Sequence, residues 1–278
     1  MKLSVVNTGL FKLDGGAMFG VVPKSIWQRY NPADENNMCT WAMRCLLVED
    51  GDKKILIDTG IGNKQDEKFF SHFYLHGGHS LDSSLSKLGV SPEEITDVIL
   101  THLHFDHVGG AVIRKGEALV TKFPNATYWT NEKHFETAVN PNVREKASFL
   151  EENILPLEES GQLGFIEEGV SPFENIAFEW VNGHTVAQML PVIKVGDKTI
   201  VYCADLLPSV GHIPIPYVMA YDMQPLLTLQ EKEQFLEKAY NHNYILFFEH
   251  DHKVECCNLQ KTEKGIRLKD VFLLSDVV

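Results

Sequence analysis

No apolar run in this sequence approaches the ~20 residues that a membrane-spanning helix needs. Positive charge is also scarce. The 25 Lys and Arg stand against 38 Asp and Glu, a formal net charge of −13 over 278 residues. An acidic surface repels phosphate backbones and anionic lipid, so neither nucleic acid nor a membrane surface is an expected partner. Cysteine is sparse. Cys39, Cys45, Cys203, Cys256 and Cys257 are odd in number and scattered, which argues against a disulfide framework and for a reducing compartment. The vicinal pair Cys256–Cys257 reads as strand packing, since neither sits in a C-x-x-C. The opening MKLSVVNTGLFKLDGG breaks its apolar run after six residues and has no secretory cleavage site, so the expected location is the cytoplasm. Short-period repeats and low-complexity segments are absent too, and 44% hydrophobic residues describe a globular chain with material for a sizeable core.

What is present is a series of short strand-like runs and a few helices. Leu3–Asn7, Met18–Val22, Trp41–Val48 and Lys54–Ile57 read as strands, with a hairpin turn at Glu49–Asp52. Helical spacing runs through Leu81–Leu88 with Gly89 as its cap, through Asn131–Val139, through Glu145–Glu152 and through Thr228–Tyr240. Further strands are expected at Asp97–Leu100, Ala177–Val181, Leu190–Val195, Thr199–Cys203, Tyr244–Phe248, Lys253–Asn258 and Arg267–Leu273. Each half reads as strands followed by helices, which suggests two sheets with helices outside them.

Several of these strands end abruptly in a metal-capable side chain. The first is the most crowded: Thr101-His-Leu-His-Phe-Asp-His-Val-Gly-Gly110 places His102, His104, Asp106 and His107 straight after Leu100. His184 follows Val181, Asp205 follows Cys203, and His250 follows Phe248. Loops at the ends of strands on a rigid sheet are where sites are built. Imidazole with carboxylate suits zinc, iron, manganese or cobalt, and zinc with an open position is the catalytic pattern. Seven candidates exceed the needs of one tetrahedral ion, whereas two ions sharing a bridging carboxylate would use all seven. His102 and His104, two apart on an extended segment, point the same way. Asp106 and His107 lie on the following turn, and Gly109-Gly110 is expected to let the backbone turn tightly. A second set, His72, His76 and His79, is interrupted by Gly77-Gly78 and reads as a wall segment, not a ligand group.

The pattern His102-x-His104-x-Asp106-His107, then His184, Asp205 and His250, resembles the metallo-β-lactamase superfamily, and Leu56-Ile-Asp-Thr-Gly60 resembles the glycine turn ahead of that family's site. The resemblance implies an α/β chain with an αββα sandwich of two mixed sheets flanked by helices, as one domain over residues 1–278. It implies that His102, His104 and His184 hold one ion, that Asp106, His107 and His250 hold a second, and that Asp205 bridges. Asp58 would support the ligating loop from behind. The cofactor implied is a pair of divalent ions, zinc foremost, with iron, cobalt or manganese as alternatives.

Residue types narrow the branch within the family. Asp205 argues against the β-lactamases proper, which lack the bridging aspartate. His104 stands where the diiron flavoproteins carry glutamate. The acidic surface argues against the nucleases, and only 28 residues follow His250, too few for a thioesterase-type helical domain. The segment from Asp14 to Val22 with Trp27 resembles the apolar lip of N-acyl-homoserine lactonases, so Met18, Phe19, Val22 and Trp27 are expected to bind an acyl chain. Pro208 occupies the position of a tyrosine that such lactonases place three residues after the bridging aspartate. His212, Tyr217 and Tyr221 are the expected substitutes, with Asp106 handling protons. The expected reaction is metal-assisted opening of a homoserine-lactone ring; phosphotriester or aryl-ester hydrolysis and a glyoxalase II-like thioesterase activity are the alternatives. The partner is a small lactone or ester, and a homodimer is the oligomer considered.

Overall fold

A computed structural model describes all residues from Met1 to Val278. The chain forms two compact units. One comprises Met1–Phe11 with Met43–Val170, the other Lys12–Ala42 with Ser171–Val278.

The first unit is built on a mixed six-stranded sheet. Its strands are β1 (Lys2–Asp14), β2 (Met38–Asp50), β3 (Lys53–Ile57), β4 (Asp97–Ile99), β7 (Thr127–Thr130) and β8 (Leu163–Phe165), in that order across the sheet; β5 (Val112–Lys115) and β6 (Ala118–Thr121) form a separate hairpin. β2 and β3 are antiparallel, while β3–β4, β4–β7 and β7–β8 pair in parallel. Parallel strands are covered on both faces, and all three residues of β4 are accordingly buried. Val6, Leu47, Leu56, Val98, Leu100, Leu103, Val108, Phe123 and Tyr128 share one apolar core. That core carries the His102–His107 loop directly, since Leu103 lies within it and Val108 follows it.

The second unit is built on β9 (Ile176–Val181), β10 (Gln188–Val195), β11 (Lys198–Tyr202), β12 (Ile245–Phe247), β13 (Cys256–Thr262) and β14 (Gly265–Phe272). These form a six-stranded sheet in the order β14-β13-β12-β11-β10-β9. Only β11 and β12 pair in parallel. The helix Pro225–Asn241 connects Asp222 to β12; proline at its first turn sacrifices no intrahelical bond.

The expected strands and helices recur with shifted ends, and two assignments change. Met18–Val22 is not a strand. Gly15–Phe19 is a short helix whose start is fixed by Asp14, whose Oδ1 accepts from the Ala17 amide at 2.8 Å. Glu145–Glu152 is helical only in part: a single 3-10 turn covers Lys146–Ser148, and the helix proper is Glu151–Glu159. The hairpin β5–β6 and the strands β7 and β8 are four or fewer residues each, too short for a two-residue periodicity to stand out. No helix is long and apolar enough to cross a membrane. All five cysteines are buried free thiols.

Candidate functional site

The seven expected ligands divide four and three between the units. In the first, β4 ends at Ile99 and the chain runs extended through His102 to His104, which begins the short helix Phe105–Val108. The rings of His102 and His107 lie 3.9 Å apart between centroids, those of His102 and His104 4.5 Å. Ligand-capable atoms of His102 and His104 fall within 4.8 Å of each other, as do those of Asp106 and His107. His102 and His107 are fully buried, and His104 and Asp106 nearly so.

Three of these rings are oriented from behind. Asp58 is fully buried and sits at φ +55°, a left-handed conformation uncommon outside glycine. Its Oδ1 accepts from the Thr101 amide at 2.8 Å, and its Oδ2 accepts from Thr101 Oγ1 at 2.7 Å and from His107 Nδ1 at 3.0 Å. Thr101 Oγ1 gives its own proton to Asp58, so at 3.1 Å it accepts from His102 Nδ1. One carboxylate thereby fixes the protons of two imidazoles on Nδ1, leaving each Nε2 with a lone pair. His104 is turned the other way: its Nε2 donates to Glu145 Oε1 at 3.1 Å, which leaves the lone pair of the neutral ring on Nδ1. Behind the loop, His134 Nε2 accepts from the Leu103 amide at 2.8 Å.

Gly109 and Gly110 are needed for space and not for an unusual dihedral. A Cβ on Gly109 would meet the Ile61 carbonyl at 2.1 Å, and one on Gly110 the Thr59 carbonyl at 2.2 Å. The turn at residues 58–60 is tied to the segment 107–110 by Thr59 N to His107 O (2.8 Å) and Gly110 N to Gly60 O (2.9 Å). Lys64 Nζ, buried, donates to the Gly109 carbonyl at 2.5 Å, and burial pushes that ammonium down to about 7.

In the second unit, His184 follows β9, Asp205 follows β11 and His250 follows β12. Asp205 is preceded by Ala204 at φ +40°, a backbone strain located at the carboxylate that must face two ways. His184 Nδ1 donates to Asp222 Oδ1 at 3.0 Å, and His250 Nδ1 donates to the Ala42 carbonyl at 2.8 Å. Both Nε2 atoms turn to Asp205: His184 Nε2 lies 3.1 Å from Oδ2, His250 Nε2 3.0 Å from Oδ1. In the neutral rings, whose one proton is on Nδ1, each contact sets a nitrogen lone pair against a carboxylate lone pair. Such pairs repel unless a cation lies with them, and nitrogen with carboxylate oxygen is a donor set that divalent zinc, iron, manganese or cobalt accepts. The residues present therefore fit the implied metals.

The residues expected on the substrate side are buried. Met18, Phe19 and Trp27 are at most 1% exposed, and Val22 9%. Phe19 stacks on Trp27 at 5.4 Å and on His212 at 4.5 Å, both nearly parallel. His212 is buried; its Nε2 donates to the Met18 carbonyl at 2.8 Å and its Nδ1 lies 2.9 Å from Ser209 Oγ. Burial pushes its pKa down to about 3. The one N–H of the neutral ring is committed to the Met18 carbonyl. Tyr217 packs edge-on against Phe19 and Tyr30. Tyr221 is 38% exposed and adjoins Asp222. His72, His76 and His79 are all exposed.

Sequence reading did not find Glu145, His134 or Asp222. Their partners lie 41, 31 and 38 residues away along the chain, and an acid or histidine at such a distance carries no periodic signal.

Known proteins agree with this architecture. The metallo-beta-lactamase superfamily model matches residues 44–250. An N-acyl homoserine lactonase of Bacillus cereus is 25% identical over 135 residues, 44% of this chain; the chain spans about half of that relative, 52% of its length. The N-acyl homoserine lactonase AiiA of Bacillus thuringiensis subsp. kurstaki is 22% identical over 242 residues, 82% of this chain and 87% of that protein. Among solved structures, a probable metal-dependent hydrolase from Staphylococcus aureus superposes with a TM-score of 0.89 at 27% identity, covering 100% of this chain and 98% of that one. The fold is the metallo-β-lactamase fold, with mixed sheets and flanking helices, as the ligand pattern implied. With the family model running from β2 to the last candidate ligand, His250, the chain belongs to the metallo-β-lactamase superfamily, a family of metallo-hydrolases.

Proposed function

We propose that this metallo-hydrolase opens the lactone ring of N-acyl-homoserine lactones, with His102, His104, Asp106, His107, His184, Asp205 and His250 as ligands of two divalent ions, zinc foremost. The observation that carries the metal-dependent reading is Asp205 facing the Nε2 atoms of His184 and His250 with one oxygen each, both rings being protonated at Nδ1. The lactone reading draws support from relatives that are N-acyl homoserine lactonases.

When bound, the ions supply a nucleophile by lowering the pKa of water from ~15.7 toward ~7, and polarise the scissile carbonyl. The chain does the rest. Asp58, Glu145 and Asp222 keep protons on His107 Nδ1, His104 Nε2 and His184 Nδ1, so the opposite nitrogens stay basic. Asp106 takes the proton of the attacking water on a carboxylate oxygen and passes it to the ring alkoxide as the C–O bond breaks. Pro208 has no hydrogen to donate to the lactone oxygen, and the His212 N–H is committed to Met18. Tyr221, half-exposed beside Asp222, is the donor assigned here, with Tyr217 second.

The deciding experiment compares zinc-loaded enzyme on an N-acyl-homoserine lactone, a phosphotriester, an aryl ester, a thioester and penicillin. The lactone should give the highest kcat/KM. A higher value for the phosphotriester or thioester overturns the lactone assignment and leaves the metal assignment standing.

A further inference from the structure

The helix Pro225–Asn241 buries Thr228, Lys232, Phe235, Leu236 and Ala239, which recur at the spacing of a core-facing stripe. Lysine does not belong on such a stripe unless its charge is met. Lys232 is fully buried, and its Nζ donates to three main-chain carbonyls: Pro214 at 3.1 Å, Ile215 at 3.2 Å and Tyr217 at 2.7 Å. An ammonium has three donors, and a single short segment meets all of them. The need is mutual. Pro214 and Pro216 break that segment, so neither helix nor sheet pairs its carbonyls, and of the three only Pro214 also accepts a turn amide, from Tyr217 at 2.9 Å. The neighbouring Glu231 grips a different loop: Oε1 accepts from the Asn182 amide at 2.7 Å and Oε2 from the Gly183 amide at 2.9 Å.

Both loops meet at His184. Asp222, five residues beyond the segment Lys232 holds, accepts from His184 Nδ1 with Oδ1 and from the Met219 amide with Oδ2 at 3.3 Å. The Met223 amide donates to the His184 carbonyl at 3.1 Å. We propose that Lys232 is a positioning residue, whose ammonium draws the 214–217 carbonyls onto the helix and so sets Asp222 against His184, while Glu231 sets the His184 loop from the same helix. This rests on His184 being a metal ligand, as assigned above.

Burial pushes the Lys232 ammonium down to about 7, and Asp222 opposes the shift. The other titratable group that senses it is His212. A neutral amine keeps two N–H groups and turns a lone pair toward the third carbonyl, so the grip is complete only while the group is charged.

The test uses Lys232→Met, which keeps the stem and removes the donors. Hydrogen exchange is read at the amides of residues 217–222, and zinc loss to a chelator is followed on the loaded protein. Circular dichroism and thermal melting report folding. Exchange in 217–222 should quicken on the order of 10-fold while amides of β9–β12 hold, and zinc loss should quicken about 10-fold, the lower end for loss of an orienting partner. Unchanged exchange and zinc loss overturn the proposal. Should the variant not fold, the wild type decides alone. Protection of the same amides, corrected for intrinsic exchange, should fall between about pH 6 and about pH 9, and a flat profile overturns the proposal. Neither arm uses a substrate, so a failed lactone assay leaves this inference intact. Zinc loss indifferent to His184→Ala would overturn the ligand reading, while the exchange arm still decides the role of Lys232.

Discussion

Asp58 Oδ2 accepts the Nδ1 proton of His107 at 3.0 Å, and both residues are fully buried. The same carboxylate holds the Thr101 amide and hydroxyl, so three donors depend on one negative charge with no water to replace it. Asp58→Asn isolates that charge, because asparagine tolerates the left-handed backbone at this position. Its amide nitrogen would face at least one of the donors. Metal affinity should fall 10- to 100-fold, the usual effect of losing a ligand's outer partner. A chelator competition that gives the wild-type affinity would dismiss the role.

The second prediction concerns stoichiometry. Protein purified without chelator should carry close to two equivalents of divalent metal if all seven residues ligate. Asp205→Asn keeps one neutral oxygen and loses the charge that faces both His184 and His250. The variant should retain about one equivalent and lose most turnover. Two equivalents in the variant would mean that another residue bridges.

The candidate metal-binding residues were legible in the sequence because they follow strands whose apolar runs stop at them. Val181, Cys203 and Phe248 are visible stops before His184, Asp205 and His250, and the compact His102–His107 pattern needs no alignment to be noticed. Two sheets with helices outside followed from the strand pattern, and the αββα sandwich from the family resemblance that those residues carry. The surroundings were not legible. Asp222 is set against His184 by a proline-broken segment with no period, and Lys232 hides on the apolar stripe of a helix whose spacing reads as ordinary. The apolar character of Met18, Phe19 and Trp27 was correct, but composition does not say whether an aromatic faces a ligand or another ring. Here Phe19 lies between Trp27 and His212.

The third prediction follows from His212. Its folded pKa is pushed down to about 3 by burial, against about 6.5 in the unfolded chain. The folded state therefore stays neutral while the unfolded state takes up a proton as pH falls below about 6.5. Stability from this residue is fully present above that pH and is lost progressively down to about pH 3. Denaturant unfolding of metal-free protein should show it, since stripped protein excludes metal release from the slope. His212→Gln should flatten the dependence by about 1.4 kcal/mol per pH unit within that window. An identical slope in the variant would show that His212 titrates normally.

The last prediction separates a packed aromatic from a substrate wall. Trp27 is 1% exposed, stacks on Phe19, and approaches Gly15 so closely that a Cβ there would meet its ring at 2.3 Å. Removing such a side chain leaves a cavity, and Trp27→Ala should cost about 3–5 kcal/mol of stability. If Trp27 only packs, the variant should melt earlier while KM for short- and long-chain lactones moves by the same factor. If Trp27 lines an acyl pocket, each CH₂ that loses contact costs about 0.8 kcal/mol, and KM should rise with chain length. The observed stacking favours the first outcome. Met18→Ala offers an independent reading, because its carbonyl, which survives the substitution, is what His212 holds. A chain-length-dependent KM in both variants, with melting temperature unchanged, would return these residues to the substrate and refute the packing role.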